Sequence, residues 1–313
     1  MRARKGRVAA YAVVVLVCVT LGGCGGRHGP TSTDGTSSRD EGTIAYLANE
    51  GGFWQVWVVD PSGKPARQVT NSEKEKARLS WFPDGNRVLV HAISGELFSV
   101  DIQTGVETKL EGILLNGHDA VISPNGGRLV GSSSLTETPD TNQIVVIDLG
   151  PGRTRRILPA ASGMQHQPAW SADEEWIYFL VPTASKRENN IWRVKTTEGV
   201  VEQLTVNSAY HLDVAVSKDG ELAFSSNRSG DYEIWRWDVS GSREPVQVTD
   251  SPGLDGEVAW SPDGTSLVFS TIRAGHVPNL WRLDTVGSAP IQITRHKGGA
   301  RSPAWWGHVH ARP

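Results

Sequence analysis

Three histidines stand at nearly the same distance ahead of a recurring tight turn: His118 five residues before Ser123, His166 five before Ser171, and His211 six before Ser217. The neighbouring slots of the other turns hold Arg78, Glu257 and Arg301, and Gln167 adjoins His166. Neutral imidazoles are ligands for Zn, Mn or Fe, so three of them converging would make a divalent-metal site. In such a site Arg78 and Arg301 would grip carboxylates while a histidine acts as base, a chemistry suited to an acidic saccharide. The plainer reading of the same residues is a ring of polar loop side chains at a wet surface. Two arginines in that ring oppose a cation, and His211 is offset by one residue from the other two. No catalytic residue and no cofactor are therefore assigned, and His118, His166 and His211 remain the candidates for a metal.

Other chemistry is thinly represented. The chain has no Gly-x-Ser-x-Gly elbow, no His-Glu-x-x-His, no phosphate-cradling glycine loop and no paired cysteines. Asp60, Asp101, Asp148, Asp238 and Asp284 recur, but at equivalent places in successive repeats. There they are expected to close turns by bonding to their own backbone. The run Glu73-Lys74-Glu75-Lys76 reads as a solvated loop.

The elements that must position these residues are visible as a repeat. From Val258, the sequence runs Val-Ala-Trp-Ser-Pro-Asp-Gly, then Ser-Leu-Val-Phe-Ser-Thr, then Asn-Leu-Trp-Arg-Leu-Asp, then Ile-Gln-Ile-Thr. The same four pieces recur upstream, and the residues preceding the turn are Phe82, Ser123, Ser171, Ser217 and Ser261, spaced by 41, 48, 46 and 44. That period suits a four-stranded propeller blade. In Pro-Asp-Gly, Pro presets φ, Asp bonds back to the backbone and Gly accepts positive φ. Eight of the twelve tryptophans occupy repeat positions: Trp81, Trp170, Trp260 and Trp305 in a first strand, Trp57, Trp192, Trp235 and Trp281 in a third. Such placement makes them packing residues between blades.

The two ends complement each other. Thr43–Leu47, Gln55–Asp60 and Arg67–Thr70 match second, third and fourth strands, and the missing first strand appears as Ser302-Pro303-Ala304-Trp305-Trp306. The expected fold is all-β, a six-bladed β-propeller over residues 42–308, its ring closed by a C-terminal first strand joined to N-terminal strands of the same blade.

Trp260-Ser261-Pro262-Asp263-Gly264, Phe224-Ser225-Ser226-Asn227-Arg228 and Ile234-Trp235 together resemble the TolB-type propeller repeat. The resemblance spans about residues 42–308 and implies a protein-binding face in the cell envelope. At its N-terminal end the sequence departs from that family, since a short leader and tether stand where an α/β domain is expected. Some propeller lyases acting on pectic oligosaccharides are also similar, and they hold a metal with His and Gln in the channel. That resemblance implies the alternative function of a metal-dependent lyase.

Arg2, Arg4, Lys5 and Arg7 precede a twelve-residue apolar run, Val8–Val19. The run is too short for the about 20 residues a spanning helix needs, and its flanks suit an export signal over 1–23. Leu21-Gly22-Gly23-Cys24 resembles a bacterial lipobox, which implies cleavage before Cys24 and lipidation of that residue. Residues 24–41 then form a Gly/Ser/Thr-rich tether, and 309–313 a short tail. Loss of residues 1–23 removes four basic and no acidic residues, taking the net charge from −3 to −7. An acidic surface opposes nucleic-acid binding, and one remaining cysteine allows no disulfide. The expected protein is a monomeric, lipid-anchored extracytoplasmic scaffold, on the outer membrane facing the periplasm if the cell has two membranes. Its expected partner is an envelope protein or a cell-wall component.

Overall fold

The computed structural model describes residues 42–307 apart from 64, 135–141, 160–162, 186, 207–208, 242–243 and 285–287. The expected signal segment 1–23, with Leu21, Gly22 and Gly23, then Cys24, the expected tether and the expected tail 309–313 lie outside the described residues. Among the described residues, twenty-four strands make six four-stranded antiparallel sheets. Blade 1 contains β1 (Thr43–Ala48), β2 (Gln55–Val59) and β3 (Arg67–Gln68). Blade 2 contains β4 (Lys76–Trp81), β5 (Arg87–Ala92), β6 (Glu96–Asp101) and β7 (Glu107–Leu114). In blade 3 are β8 (Val121–Ile122), β9 (Arg128–Ser134), β10 (Asn142–Asp148) and β11 (Arg155–Ile157). Blade 4 has β12 (His166–Trp170), β13 (Trp176–Pro182), β14 (Asn189–Lys195) and β15 (Val201–Gln203). Blade 5 has β16 (His211–Val216), β17 (Leu222–Ser226), β18 (Glu233–Trp237) and β19 (Val246–Gln247). Blade 6 has β20 (Asp255–Trp260), β21 (Ser266–Thr271), β22 (Asn279–Asp284) and β23 (Ile291–Gln292). The last strand, β24 (Ala300–Trp306), returns to pair with β1, with Thr43 opposite Trp306 and Ala48 opposite Ala300. The ring is thus closed by both ends of the described chain, as the sequence implied. Among the described residues no helix is long and apolar enough to cross a membrane.

Each blade is apolar on both faces because it is sandwiched between two others. The buried side chains accordingly fall into six clusters, one per blade junction. Ala45, Leu47 and Val56 of blade 1 meet Val88, Val90 and Phe98 of blade 2, for example. The junction of blades 6 and 1 is filled by Val268 and Leu280 against Ile44 and Tyr46. The repeated tryptophans pack at these junctions. Trp170 and Trp260 are buried, and Arg128 and Arg236 lie over their rings at 5.0 and 5.2 Å.

Two repeated motifs acquire physical reasons. In the tight turns, Gly85, Gly126, Gly220 and Gly264 donate their amides back to Phe82, Ser123, Ser217 and Ser261 at positive φ. Gly85 also sits against the ring of Trp306, which leaves no space for a Cβ there. Blade 4 differs, since Glu174 occupies this position at φ 60°, and its buried carboxylate pairs with Arg128 and accepts the Asn125 amide at 2.6 Å. The second motif is Gln-x-Thr on the fourth strand. Thr249 Oγ1 accepts the Ile234 amide at 2.8 Å and donates to Glu233 at 2.6 Å, while Gln247 Nε2 donates to the Thr249 carbonyl at 2.8 Å. Thr70, Thr205 and Thr294 repeat the arrangement. The motif ties the narrow outer strand to the third strand. Three of the recurrent aspartates close turns as expected: Asp60 accepts the Ser62 amide, Asp101 those of Gln103 and Thr104, and Asp238 those of Ser240 and Gly241, whereas Asp284 accepts from Ser266 Oγ and Arg282 Nε.

Candidate functional site

The innermost strand of most blades is not straight. Register shifts fall between Lys76 and Arg78, His166 and Ala169, His211 and Val214, Gly256 and Ala259, and in β1 where it faces Arg301–Ala304. His118, Gln167, Glu257 and Ser302 adopt φ values of 56°, 54°, 49° and 51° at or just ahead of these strands. A bulge re-aims the side chain that a regular strand would send into a neighbouring blade. The residue four places before each turn anchor, and before Trp306 at the equivalent place in the last strand, stands in series around the ring: Arg78, Asp119, Gln167, Asp213, Glu257 and Ser302. The geometric slot is one residue later than the histidine spacing suggested.

A cavity of about 510 Å³ opens at this end of the ring. Its polar lining includes Arg78, His118, Gln167, Asp213, Glu257 and Arg301; Leu79, Leu212, Leu254, Val258 and Ile272 supply apolar wall. Arg78 Nη1 donates to Gln167 Oε1, linking blade 2 to blade 4 across the mouth. Arg301 lies over the Trp54 ring at 4.3 Å and donates to the Lys76 carbonyl at 3.3 Å.

The acidic members hold the ring together from inside. Asp119 is buried, accepts the Ser132 amide and hydroxyl in its own blade, and accepts the Gln167 amide from the next at 2.8 Å. Asp213 likewise accepts Ser225 N in its own blade and Val258 N in blade 6. Glu257 accepts from Ser270 Oγ at 3.1 Å and from the Ser302 amide of blade 1 at 2.9 Å. Burial pushes the Asp213 carboxyl up to about 6, outweighing its two backbone hydrogen bonds. Between blades 2 and 3 the connecting acceptor is neutral His91, whose Nδ1 takes the Ala120 amide at 3.0 Å.

Of the candidates named from sequence, Arg78, His118, Gln167, Glu257 and Arg301 line this one cavity. The other two histidines do not share it. His166 Nε2 is buried beside blade 4, and His211 is fully buried, edge-on to Phe224 with ring centroids 5.2 Å apart. Burial holds both imidazoles below the usual range, His211 at about 3. The inward bulges cause the separation, because residues five and six places before the anchor face blade junctions in blades 4 and 5. Among the described residues no group of three or more His, Cys, Asp or Glu is arranged to hold a metal ion. Asp119 and Asp213 were missed in sequence, although an acidic residue four before the turn serine recurs in three blades.

The same end of the ring carries exposed apolar side chains at its rim. First strands begin and second strands end there. Phe53, Ile93, Leu114, Val206, Leu254 and Ile272, between 37% and 83% exposed, all lie on loops or strand ends of that side. Exposed apolar side chains grouped beside a concavity are a feature of contact surfaces.

Comparison with known proteins agrees with this architecture. The family model described as the TolB beta propeller domain matches residues 119–309. A TolB homolog of Chlorobaculum tepidum is 34% identical over 84 residues, 27% of this chain and 19% of that protein. Dipeptidyl-peptidase 5 of Porphyromonas gingivalis is 24% identical over 161 residues, 46% of this chain and 23% of that protein. The chain thus matches about a fifth of the length of these relatives. Among solved structures, TolB from Acinetobacter baumannii superimposes with TM-score 0.70 at 22% identity, covering 84% of this chain and 66% of that one. A putative TolB from Agrobacterium tumefaciens gives TM-score 0.69 at 20% identity, covering 83% and 91%. With a six-bladed ring, the repeat motifs in place and more than half of its length matched, the chain belongs to the TolB β-propeller domain family.

Proposed function

We propose that this chain is an envelope lipoprotein whose propeller is a protein-binding scaffold, with the channel-mouth face as the docking surface. The observation that carries the reading is the coincidence, on one end of the ring, of the 510 Å³ cavity with the exposed apolar rim. An extended segment of a partner would place apolar side chains against Leu254 and Ile272 and polar groups against Arg78, Glu257 and Arg301. The lyase alternative loses its main support, since two of its three histidines are turned away from the cavity. Kinship to TolB favours an extracytoplasmic setting, and the Leu21–Cys24 motif favours lipid attachment at Cys24. A cell-wall fragment is the competing partner.

In-cell photocrosslinking from Phe53 and Ile272 tests the reading, comparing wild type with Arg78→Ala/Arg301→Ala. One dominant envelope protein, captured by the wild type and lost in the double variant, is expected. Crosslinks to peptidoglycan alone, or equal capture by both chains, would reject the protein-scaffold reading. Radiolabelled palmitate incorporation, lost on Cys24→Ala, tests the anchor separately.

A further inference from the structure

Four half-buried arginines of this ring each meet a carboxylate. Arg128 pairs with Glu174, Arg193 with Glu202 at 2.6 Å, Arg236 with Glu221 at 2.6 Å and Arg273 with Asp255 at 2.5 Å. The two arginines of the channel-mouth cavity depart from that pattern. Among the described residues neither Arg78 nor Arg301 forms an ion pair. Arg78 donates to the neutral amide oxygen of Gln167, and Arg301 to the backbone carbonyl of Lys76 at 3.3 Å.

The carboxylates lining the same cavity are committed elsewhere. Each oxygen of Asp213 accepts one backbone amide, Ser225 N at 2.9 Å and Val258 N at 2.7 Å. Glu257 Oε2 accepts from Ser270 Oγ and Ser302 N. These two acids stand on blades 5 and 6. Arg78 stands on blade 2, and Arg301 of blade 1 is held toward it by the Lys76 carbonyl, with the Trp54 ring 4.3 Å from its guanidinium. Both guanidinium groups are thus fixed in place without a counter-ion, beside a cavity of about 510 Å³. That volume lies within the range of about 300–1,000 Å³ typical of ligand pockets.

We propose that Arg78 and Arg301 set the specificity of the mouth by seating the carboxylate of an Asp or Glu side chain from an extended segment of a partner protein. A carboxylate presents two in-plane oxygens that match the donor fork of a guanidinium. An apolar neighbour of the acidic residue then lies against Leu254 and Ile272, which line the same cavity. In a chain of net charge −3, an acidic segment is drawn to cations that lack counter-ions. The seat matters if the mouth docks a protein, so it rests on the scaffold reading and adds the chemistry selected there.

The test is selection of phage-displayed random peptides, fused through their C-termini so that only side chains offer carboxylates, on the immobilised full chain. Wild type, Arg78→Gln, Arg301→Gln and Ile272→Asp are compared with Arg187→Gln, which removes an exposed cation outside the cavity. Wild type and Arg187→Gln are expected to select sequences with Asp or Glu beside an apolar residue. A selected peptide, made synthetically, should bind Arg78→Gln and Arg301→Gln about tenfold more weakly than wild type. Changing its acidic residue to the amide should cost wild type a similar factor and the two variants much less, the mark of direct pairing. Arg78→Gln keeps the test open should Arg301→Gln, deprived of its place on Trp54, fail to fold. Peptides lost on Ile272→Asp but showing no acidic preference would overturn the seat and leave the scaffold reading standing. Peptides indifferent to Ile272→Asp, or no selected peptide at all, would reject both.

Discussion

The carboxylate of Asp213 accepts the amide of Val258 across the blade 5–6 boundary at 2.7 Å, and the amide of Ser225 in its own blade at 2.9 Å. One buried side chain therefore satisfies the backbone of two blades at a place where the bulge has broken the strand ladder. Replacing it with alanine orphans both amides. Asp213→Ala is expected to lower stability by about 2–4 kcal/mol, and Asp119→Ala by a similar amount. Urea denaturation of the purified chains checks this, and a loss below about 1 kcal/mol would show that water replaces the carboxylate.

Acid should destabilise the ring through its buried histidines. His91 is held neutral, its Nδ1 accepting from Ala120 and its Nε2 donating to the Leu115 carbonyl at 2.9 Å. Burial places His91, His166 and His211 below the ordinary value of 6.5. Groups depressed on folding contribute stability that is present above 6.5 and is lost as the pH falls through the folded values. Asp213 works in the opposite sense. Raised from 3.8 to about 6, its contribution is present below 3.8 and lost as pH rises through about 6. Asp213→Asn should therefore remove an offset and steepen the fall of the melting temperature below about pH 6. Melting curves at stepped pH values decide it, a parallel fall in both proteins being the contrary result.

Glu174 offers a way to separate backbone strain from side-chain bonding. Its φ of 60° suits glycine, yet its carboxylate serves both Arg128 and the Asn125 amide. Glu174→Ala loses the bonds and keeps the strain, whereas Glu174→Gly loses the bonds and relieves it. The glycine variant should be the more stable of the two by about 1 kcal/mol. Thermal midpoints of the pair give the answer, and a more stable alanine variant would mean the turn has moved.

At the mouth, Gln167→Ala removes the acceptor of Arg78 without touching a blade junction. Stability should change by less than about 1 kcal/mol, while crosslinking to the partner falls several-fold as Arg78 loses its orientation. Unchanged crosslinking with unchanged stability would place the docking surface elsewhere.

Strand order, ring closure and the packing role of tryptophan were legible because each follows from local chemistry repeated at a fixed interval. Pro-Asp-Gly makes the turn wherever it occurs, and a strand buried on both faces is apolar throughout. The site was only partly legible. Arg78, His118, Gln167, Glu257 and Arg301 do meet, but counting from the turn carried His166 and His211 into the same set. A bulge shifts facing by one residue, and its positive φ falls on His, Gln, Glu and Ser, none of which announces it. The acidic links escaped notice for a related reason. Asp119 and Asp213 look like loop carboxylates until the amide of the next blade is seen to end on them.

The pairing of β1 with β24 also sets an order of events in time. Thr43 is matched with Trp306, so blade 1 exists only once the first and last of the described strands have met. Until then the surfaces of blades 2 and 6 that face it, including Val90 and Val268, stay wet. Such a long-range contact makes closure slow. Once formed, the clasp places a single high barrier in front of unfolding, so persistence in a harsh compartment would be governed by the rate at which that one seam opens.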